Sequence, residues 1–74
     1  MNHQRAVFST NAGNVLLGKG QIADAISDYR DAITSDPGDA EAHRQLAVAL
    51  AQQGRMTEAA AERQKAEALG GKTP

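Results

Sequence analysis

Cysteine and tryptophan are absent from this 74-residue chain, and aromatics amount to one Phe and one Tyr. Without cysteine there is no disulfide, no thiol nucleophile and no Cys-ligated zinc, and nothing marks a redox compartment. With so few aromatics, packing must rest on Ala, Leu, Ile and Val in close helix contacts. An excess of one charge is missing too: the formal net charge is −1, with three basic and four acidic residues in the first 37 and five of each in the last 37. Neutralising phosphates needs a basic excess, so nucleic acid is not expected as a partner. No apolar run approaches the ~18 residues of a membrane span, and no signal-peptide core follows Met1–Arg5. A soluble chain, most simply cytoplasmic, without a membrane partner is expected. A chain of this length buries only about 60% of its unfolded surface, so one small domain of marginal stability is anticipated.

Periodicity and punctuation predict four helices. The first covers about Gln4–Leu17, with Val7, Phe8, Ala12, Val15 and Leu16 as its apolar positions, and ends in Gly18-Lys19-Gly20. The second runs from about Gln21 to Ser35, where Ile22, Ala25, Ile26, Tyr29, Ala32 and Ile33 form one stripe. Pro37 closes it by disfavouring helical dihedrals at Asp36. Asp39 is the expected N-cap of the third helix, which runs to about Gln53 on Ala42, Leu46, Ala49 and Leu50. The fourth spans about Met56–Leu69 and stops at Gly70-Gly71, leaving residues 72–74 as a frayed tail. Short linkers make sequential helices antiparallel neighbours.

The pattern then comes round twice, with Ala6 and Ala40 marking an offset of 34 (40 − 6). The first pass reads Gly13, Leu16, Gly20, Ala25, Tyr29, Ala32, Pro37; the second reads Ala47, Leu50, Gly54, Ala59, Arg63, Ala66, Gly71. Small residues recur where helices must cross closely, and Gly or Pro where a helix must stop. This spacing resembles the tetratricopeptide repeat, a helix–turn–helix unit of about 34 residues. The resemblance implies an all-α fold of four helices: two stacked antiparallel helix–turn–helix repeats in a short right-handed α-solenoid. Repeat one would cover about residues 6–39 and repeat two about 40–71, in a single domain spanning the chain.

The resemblance also implies roles. Gly13 with Ala25, and Ala47 with Ala59, would be the small pairs at helix crossings, and Tyr29 the aromatic that fills the space below the next helix. Ala32 and Ala66 would meet the following repeat. Ser9 and His43 stand where the family usually has a large aromatic, with Phe8 expected to compensate in the first hairpin. Arg63 replaces an aromatic and marks repeat two as a terminal, partly polar cap. The opposite end looks open, because stable solenoids usually need about three repeats. Either the chain belongs to a longer array or two copies cover each other's apolar ends as a homodimer.

In such arrays the first helices line a concave groove that contacts a peptide or partner protein. Position by position, those residues are Val7, Thr10, Asn14 and Leu17 in repeat one, and Glu41, Arg44, Val48, Ala51 and Gln52 in repeat two. Asn14 matches the Asn with which family members clamp a terminal carboxylate. Thr10 and Val48 break that clamp, so Arg44 is left as the anion contact.

Other chemistry finds no support. Gly13–Gly20 nearly spells a phosphate loop, but Gly20 offers no hydroxyl for Mg²⁺ and no strand precedes. His3 and His43 are the only imidazoles; His43 has no second His or carboxylate at ligand spacing, and no Ser or Thr has a base nearby. Asp24, Asp28 and Asp31 read as a solvated face, with recognition of a basic segment as the alternative. No enzyme activity, metal or cofactor is expected. The interaction role has one competitor, a structural, self-associating terminal piece of a longer array.

Overall fold

The computed structural model describes residues 2–70. Four helices follow in order: α1 His3–Gly18, α2 Ile22–Ser35, α3 Ala40–Gln52 and α4 Met56–Gly70. Each starts and ends within a residue or two of its sequence-based expectation. Gly71 and the tail lie outside the described residues.

The caps explain the boundaries. Asp39 Oδ1 accepts the Glu41 N–H at 3.0 Å and opens α3, satisfying a donor that the first turn leaves free. Asn2 does the same for α1, accepting the Arg5 N–H at 3.0 Å, a cap not anticipated from the sequence. The two interhelix turns are copies of one another. Gln21 N–H donates to Leu16 O and Gly20 N–H to Leu17 O; after the repeat offset, Arg55 donates to Leu50 O and Gly54 to Ala51 O. Such a helix stop requires a left-handed residue, and Gly20 (φ +80°) and Gly54 (φ +79°) supply it. Gly18, expected to help end α1, stays helical.

The helices pair as hairpins, α1 with α2 and α3 with α4, and α2 packs on α3 to join them. Between them lies a core of Ala25, Ile26, Tyr29, Leu46, Ala49, Leu50 and Ala59, with Leu16, Leu17, Ile22 and Ile33 at its margin. A smaller cluster of Ala6, Ala32 and Ala42 extends it towards the start of α1. The anticipated stripes of α2 and α3 are thus the buried ones, and the small residues Ala25 and Ala59, one from each crossing pair, are fully enclosed.

The stripe read for α1 is corrected. Its buried residues are Ala6, Thr10 and Gly13, whereas Val7, Phe8 and Val15 are exposed and Ala12 with them. At 100° per residue, Phe8 lies some 200° round the helix from Ala6, so both cannot face α2 and α3. Phe8, at 81% exposure, therefore cannot replace a missing anchor at Ser9. It stands on the exposed side of α1.

Candidate functional site

The nine residues expected along the groove separate into three settings. Val7, Thr10 and Glu41 border a shallow cleft between α1 and α3, joined by His3, Asn11 and Asp39. Arg44, Val48, Ala51 and Gln52 border a second cleft with Ala47 and Arg63, of about 370 Å³, on the outer side of α3 and α4. Asn14 and Leu17 are engaged internally. The Tyr29 hydroxyl donates to Asn14 Oδ1 at 2.7 Å, and Leu17 packs at the margin of the core.

Two of these placements depart from a solvent-facing groove. Thr10 is only 4% exposed, and its Oγ1 has no hydrogen-bond partner among the described residues. It sits under α3 as a packing residue. Tyr29 is fully buried along its ring; burial first, then the charges of Glu41 and Asp28, pushes its hydroxyl above the usual tyrosine range. The phenol stays protonated and keeps donating to Asn14, which fixes that amide in place. Arg44 is held by an ion pair with Glu41, one turn earlier on α3, while Gln45 also donates to Glu41 at 3.1 Å.

His43 is buried. Its Nδ1 lies 2.7 Å from Glu62 Oε1 and its Nε2 3.0 Å from the Pro37 carbonyl. Both ring nitrogens are thus engaged, one by a carboxylate on α4 and one by the turn before α3. Burial pushes the Glu62 carboxyl up, but hydrogen bonds from His43 and Lys65 outweigh it and hold it below its usual value. The arrangement ties the start of α3 to the middle of α4 and to the preceding turn. Glu62 had no signal in the sequence, because only the hairpin brings residues 19 positions apart together. Similarly, His3 Nδ1 meets Asp36 Oδ2 at 2.9 Å, and the Asn2 N–H donates to the Ser35 carbonyl at 2.7 Å. Both fasten the start of α1 to the end of α2.

Among the described residues, no group of three or more His, Cys, Asp or Glu is placed to hold a metal ion, and no helix is long and apolar enough to cross a membrane. The described residues thus form four packed helices with duplicated turns and several open clefts between them. A family model described as the tetratricopeptide repeat matches residues 10–72. The chain belongs to the tetratricopeptide repeat family. No curated protein and no solved structure matches it.

Tetratricopeptide repeats generally mediate protein–protein interaction and are typically not catalysts. Gly13, Ala25, Ala47 and Ala59 are all buried, and the turns at Gly20 and Gly54 repeat one another. His43 is hydrogen-bonded to Glu62 and Pro37. Arg63 is exposed.

Proposed function

We propose that this tetratricopeptide repeat protein is a non-catalytic interaction module that takes a peptide or partner segment across α1 and α3. One observation carries the reading: the first helices of the two repeats turn Val7 and Glu41 onto a single open cleft, bordered by polar Asn11 and Asp39. One apolar side chain, Val7, set among polar groups suits a short extended or helical segment. Thr10 and Asn14 act from beneath, supporting the walls rather than meeting the ligand. The test is selection from a displayed peptide library, followed by titration of the selected peptide. Val7→Asp should weaken its binding at least tenfold with helicity unchanged; equal affinity for that variant would refute the reading.

A second reading has its own observation. Phe8 and Val15 lie exposed on the outer side of α1, an apolar patch that supports self-association of two copies through this end.

A further inference from the structure

A cleft of about 330 Å³ opens where α2, α3 and α4 meet, lined by Arg30 and Ile33, by His43 and Leu46, and by Glu62 and Lys65 in turn. It shares no residue with the α1–α3 cleft. Repeat packing does not ask for its charged groups. Moved back by the repeat offset, His43, Leu46, Glu62 and Lys65 become Ser9, Ala12, Asp28 and Asp31, a set with two acids and no cation. The His–Glu–Lys arrangement therefore belongs to the second hairpin alone.

The carboxylates in and around this cleft are already committed. Glu62 Oε1 lies 2.7 Å from His43 Nδ1, and Glu62 Oε2 accepts from Lys65 Nζ at 3.3 Å. Glu58 is near enough for its carboxyl to feel the charge of Arg30, yet both of its oxygens accept from Arg55, at 2.9 and 2.8 Å. Arg30 itself is exposed and makes no ion pair among the described residues. An ammonium has three donors, and the bond to Glu62 uses one of those on Lys65. An apolar floor of Ile33 and Leu46 thus lies between an unmatched guanidinium on one wall and an incompletely used ammonium on the other. Both groups attract a carboxylate, and the Arg fork can hold one through two parallel hydrogen bonds. A basic segment would meet two like charges there.

We infer that the cleft between α2 and α4 binds an acidic segment of a partner protein, with one carboxylate between Arg30 and Lys65 and an apolar neighbour on Ile33 and Leu46. This does not rest on the α1–α3 reading, and either can fail without the other.

The probe is a displayed library of short peptides with one fixed Glu, selected on the full chain beside a library that fixes Gln at the same place. The selected peptide is then titrated at about 0.15 M salt, where exposed charges more than about 8 Å apart are largely screened. Saturable binding by a peptide from the Glu library, weakened by about tenfold or more in Arg30→Glu, is the expected result. Arg63→Glu makes the same charge change outside the cleft and should leave the affinity unchanged, as should Val7→Asp. All three side chains are exposed, and circular dichroism verifies folding. Replacing the fixed Glu by Lys should make the peptide bind Arg30→Glu better than the unmodified chain. No saturable binding, equally good binders from the Gln library, or equal losses in Arg30→Glu and Arg63→Glu would overturn the inference. Binding lost in Val7→Asp would overturn it too, by placing the peptide on the α1–α3 cleft.

Discussion

The Tyr29 ring occupies the space that a side chain on Gly13 would need: a Cβ placed there would lie 2.5 Å from Cε1 and 2.8 Å from Cδ1. The ring cannot swing aside at low cost, because it is fully buried and its hydroxyl is bonded to Asn14. One glycine thus admits the aromatic that joins α1, α2 and α3.

Gly13→Ala should therefore destabilise the fold. Overpacking costs about 1–3 kcal/mol, while the gain in helix propensity is at most about 1 kcal/mol. The net loss should shrink in a Tyr29→Leu background, where the ring is gone. A double-mutant cycle by chemical denaturation measures this; additive effects would mean that the two residues do not compete for space.

Thr10→Val should raise stability by about 1 kcal/mol, because it removes a buried hydroxyl that has no partner and keeps the side-chain shape. A lowered melting temperature would show that the hydroxyl is bonded in solution.

Acid should loosen the His43–Glu62 tie. Glu62 binds its proton less readily when folded, so its contribution to stability is present above its unfolded value near 4.5. That contribution is lost as pH falls through the depressed folded value. Thermal melts from pH 7 to pH 3 should show Glu62→Gln less stable at neutral pH and flatter on the acid side. Parallel curves for the two proteins would remove Glu62 from the acid transition.

Phe8→Glu should leave helicity and monomer stability within about 0.5 kcal/mol of the parent, since the side chain is exposed. If two copies meet through α1, the same change should make the melting temperature independent of concentration. Concentration dependence that persists in Phe8→Glu would place the contact elsewhere.

Much of the fold is legible in the residues because local rules act on local sequence. The α2 stripe from Ile22 to Ile33, the Asp39 cap and the paired stops at Gly20 and Gly54 each depend on a handful of neighbouring positions. The repeat offset extended those rules to architecture, since equal spacing implies equal packing at Ala25 and Ala59. The α1 stripe failed for a related reason: apolar Phe8 and Val15 satisfy helical periodicity equally well when they point away from the core.

By itself, then, the sequence determined four helices, their stops, the two-repeat arrangement and the exclusion of thiol chemistry. Only tertiary packing decided which side of α1 is buried, that Thr10 is enclosed and Asn14 accepts from Tyr29, and that His43 finds Glu62. It also separated Arg44 and Arg63 from the α1–α3 cleft and set them together in a second one. The physical reason is distance along the chain: periodicity specifies which residues share a helix face, whereas hydrogen bonds and clefts between helices exist only once the hairpins have stacked.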